Sequence, residues 1–209
     1  MDSRTSVSVQ THWDHAYSSK GVKDRSWSES SDSDALGELE SANLSVDDGI
    51  IDVGGGASSF VKSLVNSGYV NVTVLDISQT AIAEAQSMLG DAQEVVKWVV
   101  ADIVQWEPSA TYSYWNDRAV FHFLVNEEDQ KAYVDNVLRA TRSGSHIAIA
   151  TFSPDGPESC SGLPVKRWSQ EDLVNLFADS CMVVRSGERD HVTPWGSTQS
   201  FTWVHLQKF

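Results

Sequence analysis

The stretch IIDVGGGASSF at residues 50–60 constrains the fold of this chain more than any other part of its sequence. An apolar run of the length of one buried strand leads into three consecutive glycines, and small residues follow. Glycine lets a backbone turn tightly, and it lets another group approach that backbone closely. The stretch therefore predicts a buried strand, a tight turn and a helix, in that order.

The same order of strand and helix recurs along the chain, with short links between the elements. Ser78 and Asn126 stand where helix N-caps are expected, and Gly68, Gly90 and Gly144 stand where helices are expected to end. The predicted strands lie at 49–53, 71–77, 95–102, 146–152 and at the start of 112–124. The predicted helices lie at 59–68, 78–90, 126–144 and 169–180. This alternation predicts an α/β fold with a doubly wound, mostly parallel sheet.

The C-terminal part of the chain departs from this alternation. Two segments of alternating hydrophobicity, 181–194 and 198–207, are joined by the residues Trp195-Gly196-Ser197. Strands joined by so short a turn run antiparallel, so we expect a C-terminal hairpin.

The N-terminal part has a different composition from the rest. Residues 1–11 are polar and are expected to be frayed, and 12–27 predict a short helix followed by a loop. We find no internal repeat and no clear linker. The sequence therefore predicts a single domain over 1–209, with an N-terminal helical segment at 1–48 and the α/β core at 49–209.

Charge and composition exclude several classes of function. The net charge of −14 repels phosphodiester backbones, so we expect no nucleic-acid partner. The two cysteines, Cys160 and Cys181, do not form a disulfide framework, and they fit a reducing compartment. The N-terminal residues do not predict a leader segment, and no apolar run approaches roughly 20 residues, so a cytoplasmic protein without a membrane partner is expected. No tight spacing of histidines or cysteines predicts a metal site.

Two acidic residues suggest what approaches the glycine turn. Asp76 ends the second predicted strand about 20 residues beyond the turn, where a carboxylate binds ribose hydroxyls in dinucleotide-binding folds. Asp52, within the first strand, would repel a pyrophosphate but suits a ligand with a positive amino group. The alternative is a tight turn that binds no ligand.

Three segments in sequence order carry a resemblance to a known family. IIDVGGGAS, VTVLDIS and VVADIVQW resemble the first three motifs of class I S-adenosylmethionine-dependent methyltransferases. The order and spacing match over residues 50–152. That family has a seven-stranded sheet whose last strand inserts antiparallel, and the predicted C-terminal hairpin agrees with it. The resemblance implies S-adenosylmethionine as the cofactor.

The resemblance also implies roles for individual residues around this cofactor. The amino-acid end would contact Asp52, Gly54, Gly55 and Gly56; the ribose would contact Asp76; and the adenine would contact Ile77, Asp102 and Ile103. Ser58 stands where many members of the family carry another glycine, but serine is still small enough for close packing.

The segment WNDRAVFHFL at 115–124 follows the fourth predicted strand. It resembles the segment that lines the methyl-transfer site in thiopurine-type methyltransferases and in lysine methyltransferases acting on citrate synthase and elongation factors. This makes Asn116 a candidate for the cofactor side, and Asp117 and Arg118 candidates for catalysis. The alternative for Asp117 and Arg118 is a surface ion pair.

Two histidines are further catalytic candidates. His122 has an ordinary pKa near 6.5 and is a candidate base, or it is a structural residue bonded to the backbone. His191, in the predicted C-terminal hairpin, is placed to reach the acceptor pocket.

Aromatic residues near the N-terminus suggest a lid. Trp13, Tyr17 and Trp27 resemble the N-terminal aromatic segment that covers the cofactor in many relatives, and aromatic faces attract a sulfonium. The alternative is simple packing of an N-terminal helix on the core.

The methyl acceptor stays open at this point. A thiol, with a pKa near 8.5, needs little help from a base, whereas a lysine amine near 10.4 must first lose a proton. No strong base pair is visible, so the sequence favours a small-molecule acceptor, with a thiol as a specific hypothesis. The alternatives are a protein lysine, or a cofactor-binding scaffold without activity. The sequence does not indicate an oligomeric state.

Overall fold

The structure is a computed structural model that describes residues 5–19, 21, 24–27 and 33–209. The helices in this part are α1 (Ser6–Ser19), α2 (Ser33–Ser41), α3 (Phe60–Asn66), α4 (Gln79–Leu89), α5 (Glu127–Ala140) and α6 (Gln170–Asn175), with 3₁₀ turns at Gly90–Val95 and Phe121–Phe123. The strands are β1 (Ile50–Val53), β2 (Val72–Asp76), β3 (Val96–Val100), β4 (Tyr112–Arg118), β5 (Thr141–Phe152), β6 (Ser159–Cys160), β7 (Leu163–Pro164), β8 (Cys181–Val192) and β9 (Thr198–Lys208).

The main sheet of the described chain has seven strands in the order β3-β2-β1-β4-β5-β9-β8. Strands β1 to β5 pair in parallel, whereas β9 pairs antiparallel with both β5 and β8. The last strand thus lies between two earlier ones instead of at the edge. The prediction of a mostly parallel, doubly wound sheet with an antiparallel C-terminal hairpin is confirmed.

Helices cover both faces of this sheet, so residues on both sides of its central strands are buried. All four residues of β1 are buried. On one face, Leu64 of α3 and Ile82 of α4 pack into the core. On the other face, Tyr133 of α5 and Leu173 of α6 do the same. Full burial of a large apolar side chain contributes about 1.5–3 kcal/mol, so these contacts stabilise the packing of the helices against the sheet.

Side-chain caps begin two of the helices as predicted. The Ser78 hydroxyl accepts a hydrogen bond of 3.1 Å from the Ala81 amide at the start of α4. The Asn126 side chain accepts one of 2.8 Å from the Asp129 amide at the start of α5. Each cap is worth about 1 kcal/mol and fixes the point where its helix begins.

The prediction that a helix continues to Gly144 is wrong. Helix α5 ends at Ala140, and Thr141 already has extended backbone angles and begins β5. The Thr141 hydroxyl donates a hydrogen bond of 2.7 Å to the Val137 carbonyl and so closes the last turn of the helix. Gly144, with φ +85°, lies within the strand instead of ending the helix.

Two other boundaries also differ from the predictions. Helix α1 begins at Ser6, so the expectation of frayed residues up to position 11 is wrong for Ser6 onward. Helix α6 ends at Asn175 instead of reaching 180, because the residues that follow form turns. In the described ranges, no helix combines the length and apolar character that crossing a membrane requires.

Candidate functional site

A cavity of about 500 Å³ opens at the C-terminal ends of β1, β2 and β4. This is the edge where ligands bind in open α/β sheets. Most of the predicted cofactor residues line it: Trp13, Tyr17, Trp27, Asp52, Gly54, Gly55, Asp76, Ile77, Asp102, Ile103 and Asn116. The volume lies within the range of small-molecule sites in proteins.

The glycine turn has no room for side chains. Gly54 has φ +69°, and a Cβ atom there would lie 2.1 Å from Cγ2 of Val120. A Cβ atom on Gly56 would lie 2.4 Å from Cβ of Ala81 and 2.7 Å from Oδ2 of Asp76. Gly56 does not line the cavity directly. It lets the turn approach α4 and the end of β2.

Asp52 is a buried carboxylate beside this turn. Its Oδ1 accepts a hydrogen bond of 2.7 Å from Nδ2 of Asn116, and its Oδ2 accepts one of 3.2 Å from the Ser58 hydroxyl. Burial raises the pKa of Asp52 to about 7, although both hydrogen bonds act in the opposite direction. The serine at position 58 therefore contributes to the site, because its hydroxyl helps to hold the Asp52 carboxylate in place.

Asp76 is held by the backbone on two sides. Its Oδ2 accepts a hydrogen bond of 3.0 Å from the Gly56 amide, and its Oδ1 accepts one of 2.8 Å from the Ser78 amide. Burial raises the pKa of Asp76 to about 6, against the effect of these amides. The carboxylate thus links the glycine turn to the start of α4 and still faces the cavity.

Asp102 and Ile103 follow β3 and form a further part of the wall. Asp102 accepts hydrogen bonds from the Val104 amide at 3.2 Å and from the Ser6 hydroxyl of α1 at 2.7 Å. The Ile103 carbonyl accepts one of 2.6 Å from the buried Asn136 side chain of α5. This segment is therefore fixed from both the N-terminal helix and the opposite face of the sheet.

The N-terminal segment covers the cavity and is attached to α4. Arg25, which is 4% exposed, forms two hydrogen bonds of 2.7 and 2.8 Å with the carboxylate of Glu84. Arg25 also donates to the Tyr17 carbonyl at 2.9 Å. Asp14 accepts hydrogen bonds from the Ser78 hydroxyl at 2.7 Å and the Thr80 amide at 3.0 Å.

Aromatic rings from this covering segment meet within the cavity wall. Trp13 lies 5.7 Å from Trp27 and 5.1 Å from Phe123, measured between ring centroids. Tyr17 lies 5.7 Å from Trp27. The rings meet edge to face or tilted, and such clusters offer electron-rich faces that attract cations.

The segment after β4 divides between the cavity and the core. Asn116 and Arg118 line the cavity. Asp117 points the other way: it is 1% exposed and accepts hydrogen bonds from two backbone amides and from the Tyr133 hydroxyl. Asp117 and Arg118 therefore do not form the surface ion pair that sequence reasoning left as an alternative.

The two histidines lie outside the residues that line the cavity. His122 is completely buried, and its Nδ1 accepts a hydrogen bond of 3.3 Å from the Phe152 amide; burial lowers its pKa to about 3. His191 donates from Nε2 to the Ser26 carbonyl at 2.6 Å, and burial lowers its pKa as well. The structure thus holds both imidazoles in contacts with the backbone and does not bring them to the cavity.

Sequence reasoning missed several residues that shape this site. Arg25, Glu84 and Asp14 attach the covering segment, Phe123 completes the aromatic cluster, and Asn136 holds the segment after β3. Their partners lie up to 66 positions away along the chain, so no local pattern marks them. The only signal was the accumulation of charged and aromatic residues in HWDHAY and KDRSW.

Comparison with known proteins gives one family and several relatives. Residues 50–144 match the model of a family described as a methyltransferase domain. The O-methyltransferase resE of Aspergillus sclerotiorum is 31% identical over 108 residues, which are 51% of this chain and 40% of that protein. Malonyl-[acyl-carrier protein] O-methyltransferase 2 of Ilyobacter polytropus is 26% identical over 150 residues, or 66% of this chain and 56% of that protein. The chain thus spans about half the length of these relatives.

A solved structure resembles the whole fold. The 1,6-didemethyltoxoflavin-N1-methyltransferase of Burkholderia thailandensis, with 1,6-didemethyltoxoflavin and S-adenosylhomocysteine bound, superposes with a TM-score of 0.71. The match covers 97% of this chain and 84% of that one at 14% sequence identity, so it shows a shared fold. The finer resemblance of segment 115–124 to thiopurine-type or lysine methyltransferases is not confirmed.

Proposed function

We propose that the protein transfers a methyl group from S-adenosylmethionine to a small-molecule acceptor, and the premise is that residues 50–144 match the model of a methyltransferase domain. We extend the proposal to residues 1–209 as one methyltransferase domain, in which the described part of 1–48 acts as the lid. When bound, S-adenosylmethionine supplies a methyl group on a sulfonium, which an acceptor lone pair displaces in line.

The residues of the cavity fit this cofactor. In the proposal, Asp52 and the Gly54–Gly56 backbone hold the cationic amino-acid end, and Asp76 accepts from the ribose hydroxyls. Asp102 accepts from the adenine amino group, with Ile77 and Ile103 on the ring. Trp13, Tyr17 and Trp27 of the lid present their rings to the cationic part of the molecule.

The observation that carries the proposal is the placement of Asp52 and Asp76 on either side of the glycine turn. Both are buried in the same cavity wall, and burial raises the pKa of each, to about 7 and about 6. Among the described residues no cation is paired with either carboxylate, and a buried carboxylate without such a partner favours a ligand that brings a cation. A cationic amino group beside Asp52 fits this requirement, whereas the pyrophosphate of a dinucleotide does not.

We call the end of the cavity lined by residues 118–120 and Phe123 the acceptor end, and this end favours a group that reacts as an anion. Among the described lining residues there is no histidine, and Glu84 is bound by Arg25. The guanidinium of Arg118 lines this end. Burial is the main cause of the lowered pKa of both His122 and His191, and the positive charge of Arg118 adds to it. A positive field of this kind stabilises a thiolate, and a thiol near pKa 8.5 loses its proton readily.

A thiol is therefore the acceptor that we propose, and the proton it loses passes to solvent. A protein lysine is not favoured, because its ammonium form would be repelled by Arg118 and the two curated relatives carry the names of O-methyltransferases. The positive charge of Arg118 would also stabilise the anions of other acidic groups, so the experiment includes a phenol and a carboxylic acid.

Two measurements test the proposal in order. Calorimetric titration of S-adenosylhomocysteine into the pure protein should give binding; absence of heat at several temperatures would reject the cofactor and the function with it. Radiolabelled S-adenosylmethionine is then incubated with thiophenol, an alkylthiol, a phenol, a carboxylic acid and a lysine-rich protein. Preferential labelling of the thiols supports the acceptor, and labelling of the protein alone rejects it.

A variant sharpens the test of the acceptor. Arg118→Met should raise the KM for thiophenol about tenfold and shift its pH optimum upward, because the thiolate loses a stabilising charge. Arg167→Met, which removes an arginine paired with the exposed Glu158 at 3.2 Å, is the matched control and should behave as the unmodified protein. An unchanged KM in Arg118→Met would contradict the anionic acceptor.

A further inference from the structure

The turn after β4 is strained at a residue that is not glycine. Ala119 has φ +72°, a left-handed conformation that costs a side chain with Cβ appreciable energy. Such backbone strain persists only where the surroundings impose it, and it concentrates at functional sites. Ala119 lines the cavity, which makes the origin of its conformation relevant to function.

Asp117 holds the backbone just beyond this residue, while the Ala119 amide itself donates to the Ala150 carbonyl at 2.9 Å. Its Oδ1 accepts a hydrogen bond of 2.8 Å from the Val120 amide, and its Oδ2 accepts one of 3.1 Å from the Phe121 amide. Oδ2 also accepts from the Tyr133 hydroxyl, which in turn accepts from Nε1 of Trp115 at 3.1 Å. Both carboxylate oxygens thus hold the backbone just beyond Ala119, and α5 holds the carboxylate.

The turn held in this way forms the wall of the acceptor end. Arg118, Ala119, Val120 and Phe123 all line the cavity. Val120 of this turn also lies against Gly54. Cys160 lines the same end, and it belongs to the apolar cluster that contacts Ala119.

We propose that Asp117 is a positioning residue, which holds the strained turn after β4 in the shape that the methyl acceptor requires. The part of this inference that concerns the acceptor rests on the proposed function, whereas the part that concerns the wall does not. Asp117 touches neither the cavity nor the reacting atoms, so it acts through Arg118 and Ala119. This role replaces the catalytic one that the sequence suggested for it.

The two cysteines provide a readout that needs no knowledge of the acceptor. Neither thiol is in a disulfide. Cys160 lies in the cavity wall, whereas Cys181, at the start of β8, lies in the large core cluster that also contains Tyr133. The rate at which iodoacetamide alkylates each thiol, followed by mass spectrometry, reports local opening of the cavity wall and of this core cluster.

Asp117→Asn should raise the alkylation rate of Cys160 about tenfold and leave that of Cys181 unchanged, because the amide group cannot accept all three hydrogen bonds. Asp135→Asn, an exposed carboxylate on the same helix as Tyr133, is the matched control and should change neither rate. An equal acceleration at both cysteines would indicate general loosening and overturn the proposal, as would an unchanged rate at Cys160.

Two further variants keep the proposal testable if Asp117→Asn does not fold. Tyr133→Phe removes one of the three hydrogen bonds and should raise the ratio of the Cys160 rate to the Cys181 rate about threefold; an unchanged ratio would overturn the proposal. Adding Ala119→Gly to either variant should restore the ratio, because glycine adopts φ +72° without strain. Failure of this rescue would contradict a role in holding the turn.

Binding and turnover separate this inference from the proposed function. The Kd for S-adenosylhomocysteine should stay within twofold of the unmodified protein in Tyr133→Phe, while the KM for thiophenol rises. If the unmodified protein binds no S-adenosylhomocysteine, the proposed function fails, and the alkylation ratio still decides the role of Asp117. A loss of affinity for S-adenosylhomocysteine as large as the rise in the KM for thiophenol would contradict a role confined to the acceptor end of the cavity.

Discussion

Asn116 donates a hydrogen bond of 2.7 Å to the buried carboxylate of Asp52, directly across adjacent parallel strands. The two residues are 64 positions apart in the chain, yet β1 and β4 pair in register at this point. The amide stabilises the ionised form of Asp52 against the effect of burial, and the pKa stays at about 7. Small changes around Asp52 should therefore change its charge near neutral pH.

The affinity for S-adenosylhomocysteine should depend on pH in the direction set by Asp52. The ligand carries a cationic amino group, so binding favours the ionised carboxylate. Below about pH 7 the free protein must first lose a proton, and the affinity should fall by up to tenfold per pH unit. Calorimetric titrations between about pH 5.5 and about pH 8.5, all at the same ionic strength, would measure this pH dependence of the affinity.

Asn116→Ala should move the midpoint of that pH dependence upward, because the carboxylate loses a hydrogen bond to its ionised form. An affinity that is constant over this pH range, or a midpoint that Asn116→Ala does not move, would contradict the role assigned to Asp52.

Asp52→Asn should stabilise the free protein at alkaline pH while abolishing cofactor binding. The folded pKa of about 7 lies above the unfolded value near 3.9, so folding takes up a proton. The stability associated with Asp52 is fully present below about pH 4 and is lost as the pH rises through about 7. The variant avoids this loss, and its free energy of unfolding should exceed that of the unmodified protein by about 2–4 kcal/mol at high pH.

Urea unfolding at about pH 5 and about pH 8.5, with both proteins at the same concentration, measures this difference in the free energy of unfolding. Asp155→Asn, at an exposed loop position after β5, is the control and should show no such pH-dependent gain. A gain for Asp52→Asn that is the same at both pH values would mean that the charge of Asp52 is not its cause.

The sequence predicted the central part of this molecule well, for a physical reason. Strand, glycine turn and helix are encoded by neighbouring residues, so Gly54, Asp52 and Asp76 could be placed at one edge of the sheet. The end of α5 could not be placed, because the start of β5 at Thr141 depends on its pairing with Tyr112 of β4 instead of on local propensity.

The limits of prediction are clearest at the acceptor end of the site. His122 and Asp117 have chemically versatile side chains in a segment that follows a strand, and sequence alone could not tell which side chains face the cavity. Tertiary packing turns both of them toward the core. The lid contacts, such as Arg25 with Glu84, join residues 59 positions apart and leave no periodic signal.

Gly56→Ala should weaken cofactor binding strongly. The new Cβ atom would lie 2.4 Å from Cβ of Ala81 and 2.7 Å from Oδ2 of Asp76, so either the turn or the carboxylate must move. We expect a loss of about 100-fold or more in the affinity for S-adenosylhomocysteine, measured by calorimetry.

Gly37→Ala is the control, because a Cβ atom on Gly37 of α2 meets nothing within 4 Å. That variant should bind normally and gain about 0.5–1 kcal/mol of stability; a Gly56→Ala protein that binds equally well would refute the close approach.

Arg25→Ala should speed the release of bound S-adenosylhomocysteine. Arg25 joins the lid to Glu84 through a partly buried ion pair with two hydrogen bonds, and loss of one partner leaves the lid free to open more often. Stopped-flow tryptophan fluorescence should show a dissociation rate about tenfold higher, since one partly buried charged contact is worth about 1.5–3 kcal/mol. Arg167→Ala removes a comparable but exposed pair and should leave the rate unchanged. Equal rates for Arg25→Ala and the unmodified protein would mean that lid opening does not limit release.

The insertion of β9 between β5 and β8 has a consequence for biosynthesis. Residues Thr198–Lys208 are the last strand of the described sheet to be synthesised, yet they supply the hydrogen-bonding partner of two strands made before them. Until then the nascent chain exposes one long side of β5 and the whole of β8. The sheet can therefore close only after β9 has been synthesised, and we expect the partly synthesised chain to be most prone to aggregation just before that step.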